Sequence, residues 1–232
     1  MILIGLAGQA GVGKDTVADY LVARYGFVKF AFSDALYREV TEAFVLPDES
    51  LLRDRARKEL PTYALAGENC NDQDFTAVMA RFVGAGDLAC SPRQILQWWG
   101  TEYRRAQDPE YWVSAASRWL HDYRRMFKYP EQRPQFFVNT TVRFPNEREF
   151  IHEHADGNVW HIRRGSAAPV AAHVSEAPLS VLEGERELYN NDTIGRLHLG
   201  IEMLLRTQAR FVKVEPMLPA GPHVGVGEQG VE

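Results

Sequence analysis

Cysteine is scarce: Cys70 and Cys90 are the only two in 232 residues, which excludes a disulfide-stapled scaffold and fits a reducing compartment. Long hydrophobic runs are lacking as well. The opening stretch MILIGLAGQAG is too short to span a bilayer and has neither the basic start nor the cleavage site of a secretory signal. The expectation is a chain that starts at Met1, does not enter the membrane and works in the cytoplasm. Positive charge is in deficit, with 26 Lys and Arg against 31 Asp and Glu and a net of −5, which argues against stable nucleic-acid binding through phosphate neutralisation. Lysine is especially rare, 5 residues against 21 arginines. Arginine grips phosphate and carboxylate through a planar fork of donors, so this bias suits a small phosphorylated ligand; a GC-rich genome is the plain alternative. What remains is an ordinary globular mix, 45% hydrophobic and 11% aromatic. That is enough for one large domain, or a domain with an insert, and hardly for two full domains.

Residues 2–7 are a short apolar run ending at a glycine cluster, and residues 16–24 place Val17, Ala18, Leu21 and Val22 on one helical face. A second apolar run at 27–32 leads through Ser33 and Asp34 into a helical stretch at 35–44. This alternation predicts an α/β fold with a parallel sheet. From 47 to 90 the sequence turns charged and loop-rich, which reads as an insert over one edge of the domain, mobile at its tip. Ser91 and Pro92 open a helix to about Trp99. Another helix covers 109–127, with Trp112, Ala116, Trp119, Leu120, Tyr123 and Phe127 spaced by threes and fours. Strands are expected at 135–140, 158–162 and 188–190, a helix at 145–154, and a last helix near Ile194 to Thr207 marked by Leu197, Ile201, Leu204 and Leu205. The domain so read covers 1–209, and the tail at 210–232 reads as largely disordered.

Chemistry concentrates in Gly8-Gln9-Ala10-Gly11-Val12-Gly13-Lys14-Asp15-Thr16. The pattern G-x-x-x-x-G-K between a strand and a helix is a phosphate-binding loop. Its glycines let backbone N–H groups turn inward, the helix N-terminus adds positive potential, and the lysine reaches the terminal phosphates. Asp15 stands where a Ser or Thr usually binds Mg²⁺, with Thr16 one place later, a shift that favours a small-molecule kinase over a GTPase or motor ATPase.

With that loop in place, GKDTVADYL, FAFSDAL, SPRQILQWWGTEYRR followed by DPEYW, VRFPNE, HVSE and NND together resemble the ordered landmarks of phage-type deoxynucleoside monophosphate kinases, over about 1–207. The resemblance implies a P-loop kinase fold: a five-stranded parallel sheet flanked by helices, an acceptor-binding insert at 47–90 and a lid-like segment at 163–182. It also implies transfer of the ATP γ-phosphoryl group to a deoxynucleoside monophosphate with Mg²⁺, in a host cytoplasm. Carried over residue by residue, it implies ATP on Gly8, Gly11, Val12, Gly13, Lys14, Asp15 and Thr16. The acceptor falls to Asp34, Arg93, Gln97, Arg105, Arg143, Arg163 and Glu176, with Arg164, His173 and Ser175 nearby. Lys14, Asp34 and Arg143 are the implied catalytic set. Relatives usually carry Asp immediately before VRFPNE, where this chain has Thr141, so the implied Mg²⁺ ligands are Asp15, Thr16 and Thr141.

Each residue also has a plainer reading. The arginines suit surface ion pairs, and Asp34 suits a helix cap. Trp98 and Trp99 suit a core as well as base stacking. His152 and His154 point to different helix faces and do not form a metal pair. Other function classes are dephospho-coenzyme A kinase, whose D-x-P-L-L-x-E stretch is not matched by VRFPNE, and a nucleotide-binding module without catalysis, suggested by Thr141. The accepted base, the sugar preference and the oligomeric state, a homodimer included, stay open.

Overall fold

The computed structural model describes residues 1–83, 88–154, 156–165, 179–207 and 216. The insert tip at 84–87, most of the lid-like segment with His173, Ser175 and Glu176, and the expected tail apart from Pro216 lie outside these residues.

Strand β1 (Ile2–Ala7) is buried along its whole length. It is hydrogen-bonded in parallel to β3 (Phe136–Val142) on one side and to β4 (Asp156–Arg163) on the other. With β2 (Val28–Phe30) beyond β3 and β5 (Arg186–Tyr189) beyond β4, the sheet order is β2-β3-β1-β4-β5, every pair parallel. A strand buried on both faces reads as a continuous apolar run, and ILIGLA is one. Ile2, Ile4 and Leu6 pack under α1 (Lys14–Tyr25) and α8 (Ile194–Thr207). Leu3 and Ala7 face the opposite way, toward α6 (Tyr111–Arg125) and α7 (Pro145–Glu153). Each large aliphatic side chain fully buried there contributes roughly 1.5–3 kcal/mol.

The helices leaving β1 and β3 thus cover opposite faces of the sheet. Adjacent parallel strands whose connections diverge leave a crevice beyond their C-terminal ends, where ligands bind in such sheets. The phosphate loop follows β1, and Arg143 follows β3.

A second apolar body gathers α2 (Asp34–Ala43), α3 (Ser50–Arg53), α4 (Gln73–Val83) and α5 (Pro92–Gln97), which continues as a π-helical stretch, Trp98–Arg105. Ser91 caps α5 with Gln94 in a reciprocal box, and Pro92 takes the first position, as its sequence signal indicated. Helix α4 lies where the sequence reading expected loop. Its Phe75, Val78 and Met79 are buried, and Asp72 accepts the Phe75 N–H at 2.9 Å as a cap. The apolar spacing was there, masked by polar stretches on both flanks. Trp98 and Trp99 belong to this body: Trp99 lies against Phe75 and Tyr103, and Trp98 stacks on Phe82 at 4.9 Å. Both rings therefore take the core reading.

Helix α2 ends in a Schellman-type turn, Val45 N–H to the Glu42 carbonyl and Leu46 N–H to that of Thr41. The residue held left-handed there, φ 50°, is Val45, a β-branched side chain 70% exposed, where glycine or asparagine is usual. Relief of the left-handed strain, about 1–2 kcal/mol, outweighs the chain-entropy cost of glycine, about 0.5–1 kcal/mol. Val45→Gly should raise unfolding stability by about 0.5–1 kcal/mol, read as a higher urea midpoint at unchanged slope.

Candidate active site

The loop after β1 is shaped by glycines that no other residue replaces without strain. Gly8 has φ 140°, and a Cβ there would come within 2.5 Å of the Ile162 carbonyl oxygen. Gly13 has φ 102°, and a Cβ would run into the Asn190 amide. This left-handed turn makes Lys14 the first residue of α1, two earlier than the apolar spacing indicated. Buried Val12 anchors the loop from below. Asn190, the first residue of the NND landmark, donates to the Val12 carbonyl at 2.9 Å, while its own N–H donates to the Arg163 carbonyl at 2.8 Å. One residue, through its side chain and its backbone N–H, thereby ties the loop to the ends of β4 and β5. The Lys14 ammonium folds over the loop and donates to the carbonyls of Gly8 (2.7 Å) and Gln9 (2.9 Å). The result is a glycine cradle at a helix N-terminus, with a cation over it.

Around the cradle stand carboxylates held by arginines. Asp15 pairs with Lys29 (3.2 Å) and with Arg55 (3.0 Å), the latter reaching across from the segment after α3. Thr16 is exposed beside it. Asp34 is the first residue of α2, so Ser33 takes the cap position and the capping role expected of Asp34 is corrected. Its carboxylate instead accepts the Ala31 N–H at 2.7 Å and pairs with Arg53 at 3.1 Å. Arg53 also binds Glu49 at 2.7 Å and lies 4.1 Å from the centre of the Tyr37 ring. Burial pushes the Tyr37 phenol up, while the charges of Arg53 and Arg143 pull it down. Asp34, Tyr37, Arg53 and Arg143 therefore share one electrostatic neighbourhood. The sequence reading missed Arg53 and Arg55; the alternating arginines of RDRAR were the available signal.

Of the expected acceptor residues, Arg105 lies in a buried ion pair, and the others take the following places. Arg105 is 11% exposed, pairs with Glu147 at 2.5 Å, donates to the Pro109 carbonyl at 3.2 Å and lies over the Phe144 ring. Burial lowers its pKa against the pull of Glu147 and Glu110. Arg93 is bound to Glu59. Gln97 closes α5. Arg163 is the last residue of β4 and pairs with Glu187 across to β5 at 2.8 Å. His152 meets buried Glu185 at 2.9 Å, and His161 meets the same carboxylate at 2.7 Å. Among the described residues no cluster of His, Cys, Asp or Glu suited to a metal ion occurs.

Thr141 requires the largest revision. The register of β1 with β3 slips by one residue between Gly5 and Ala7, so Thr140 and Thr141 share a bulge, a device that re-aims side chains beside functional sites. Asn139 Oδ1 accepts the Thr141 N–H at 2.9 Å, and the Thr141 hydroxyl oxygen accepts the Phe32 N–H at 2.9 Å. Its oxygen is engaged by the chain leaving β2, which argues against a metal role for it. Thr16 and Asp15 offer oxygens beside the loop, those of Asp15 being paired with Lys29 and Arg55, and Mg²⁺ needs only one or two protein oxygens with water and phosphate completing its shell.

A glycine cradle and lysine at the C-terminal end of the central strand of an all-parallel sheet define a P-loop α/β fold. No family model matches the chain. A protein of Acanthamoeba polyphaga mimivirus, provisionally named deoxynucleotide monophosphate kinase, is 32% identical over 203 residues, which cover 84% of this chain and 91% of that protein. The chain belongs to that deoxynucleotide monophosphate kinase family. Membership supports phosphotransferase chemistry and, with it, the use of ATP. Among the described residues no helix is long and apolar enough to cross a membrane.

Because the Thr141 oxygen bonds to Phe32, Thr141→Ala should cost about 1 kcal/mol of stability in denaturant unfolding. The Mg²⁺ concentration for half-maximal activity should stay unchanged. A raised Mg²⁺ requirement at wild-type stability would return Thr141 to the metal.

Proposed function

We propose that this protein transfers the γ-phosphoryl group of ATP to a deoxynucleoside monophosphate, giving ADP and the diphosphate. The observation that carries the reading is the phosphate cradle of 8–14, which opens onto the same crevice as Arg143. Family membership supplies the acceptor class. In the reaction a phosphate oxygen of the acceptor forms a bond to the γ-phosphorus. The bond to the bridging oxygen breaks, and its electron pair leaves on ADP.

Positioning and charge neutralisation carry most of phosphoryl transfer. The loop amides and Lys14 hold the β- and γ-phosphates, the lysine leaving the Gly8 and Gln9 carbonyls for the nucleotide. Arg143 meets the group in flight from the β3 side. Arg53, held by Asp34 and Glu49, presents a guanidinium on the acceptor side, and Asp34 orients it. Thr16 and Asp15 would hold Mg²⁺, which when bound neutralises phosphate charge. The segment 47–90 serves the acceptor side, within one working domain of 1–209.

ADP release measured with a panel of deoxynucleoside and ribonucleoside monophosphates and with dephospho-coenzyme A tests the reading. Turnover confined to dephospho-coenzyme A, or to no acceptor at all, would overturn it. Lys14→Met should lower turnover roughly a hundredfold to a thousandfold, as expected for loss of one transition-state cation, with thermal unfolding unchanged. Arg143→Ala should lower kcat with little change in KM for ATP, the pattern of a group that acts in the transition state. Arg143→Lys should restore only part, since an ammonium lacks the paired donors.

A further inference from the structure

Glu147, the last residue of VRFPNE, is buried to 3% exposure. Its carboxylate gathers three donors from two parts of the chain. Oε2 accepts the backbone N–H of Arg143 at 2.7 Å and that of Phe144 at 3.2 Å, and Oε1 accepts the Arg105 guanidinium at 2.5 Å. Arg105 is fixed in turn by the Pro109 carbonyl and by the face of Phe144. The turn that leaves β3 with Arg143 on it is thus clamped to the end of the π-helical stretch by one carboxylate. We propose that Glu147 is a positioning residue for phosphoryl transfer, acting through the backbone of Arg143 to fix where that guanidinium enters the crevice. This inference rests on the kinase reading above.

The geometry is demanding in a way that a surface contact is not. A buried carboxylate with too few donors is costly, so the site forms only when both backbone N–H groups and Arg105 converge on it. A misplacement of about 1 Å in a positioned catalytic group can cost on the order of a hundredfold in rate. The charged groups facing Glu147 are Arg105 from the π-helical stretch and Arg143 from the end of β3, with Glu110, before α6, acting on Arg105. Burial pushes the Glu147 carboxyl up to about 7, against the downward pull of Arg105 and of the two N–H donors. Above that pH the ionised carboxylate holds all three donors. Below it the protonated group loses its attraction for Arg105, and the clamp loosens. Turnover should therefore fall as pH drops through about 7.

The test compares wild type, Glu147→Gln and Glu147→Asp on the best acceptor of the panel, from pH 5.5 to 8.5, with thermal unfolding recorded for each. Glu147→Gln keeps an acceptor for the backbone donors and removes the charge. It is expected to stay folded at assay temperature, to lose about tenfold to a hundredfold in kcat with KM for ATP within about threefold, and to lose the limb near pH 7. Glu147→Asp keeps the charge on a shorter arm and should restore the pH limb and part of kcat. Should Glu147→Gln fail to fold, the wild-type profile and Glu147→Asp decide: a wild type without the limb, or an Asp variant with wild-type kcat and profile, overturns the proposal. A folded Glu147→Gln variant with unchanged kcat, or with an unaltered pH limb, overturns it as well. Absence of turnover by the wild type on every acceptor would overturn the kinase reading itself, and this inference with it.

Discussion

Everything in this protein hangs from the burial of one strand. β1 has hydrogen-bonded neighbours on both edges and helices on both faces, so its C-terminal end cannot shift without dismantling two apolar clusters. The phosphate loop is attached to that end. Its left-handed glycines supply a cradle of N–H groups, and the rigidity of the strand below keeps the cradle from collapsing when empty. Asn190, reaching the loop from the opposite end of the chain, completes the support.

The crevice follows from topology. Because the connections after β1 and β3 leave to opposite faces, the two loops that carry Lys14 and Arg143 diverge and leave room for a substrate between them. The second apolar body, built from α2 to α5 and the π-helical stretch, brings Arg53 and Arg55 to the same end. These arginines rest on Asp34 and Asp15. Such exposed pairs contribute little to stability. The pair of Arg105 and Glu147 is of the other kind. It is buried, and removing one partner of a buried pair is strongly destabilising, about 3–5 kcal/mol. Arginines at this end of the fold therefore differ in kind, Arg53 and Arg55 in exposed pairs and Arg105 in a buried one.

The revised place of Thr141 shows the same division. From spacing alone it stands at the end of a strand next to the phosphate loop, where a carboxylate would serve a metal. The bulge in β3 turns its hydroxyl toward Phe32 instead. No pattern in the sequence announces a bulge of this type, since Asn139, which accepts the Thr141 N–H, reads as an ordinary strand residue.

By itself the sequence determined the order of the strands and of the helices outside the 47–90 segment, the parallel sheet, the phosphate loop and the capped start of α5. Each depends on neighbours in the chain: apolar periodicity, glycines at fixed spacing, a Ser-Pro cap. It also held the signals for α4 and for the RDRAR arginines, which polar flanks obscured. Only the tertiary structure decided which arginines stay exposed and which are buried, that Asp15 and Asp34 are held by Arg55 and Arg53, and that Glu147 gathers the two ends of its clamp. The physical reason is that these pairings join residues 19 to 42 positions apart. An ion pair at such separations depends on how the helices pack and how much water they exclude, and local spacing encodes neither.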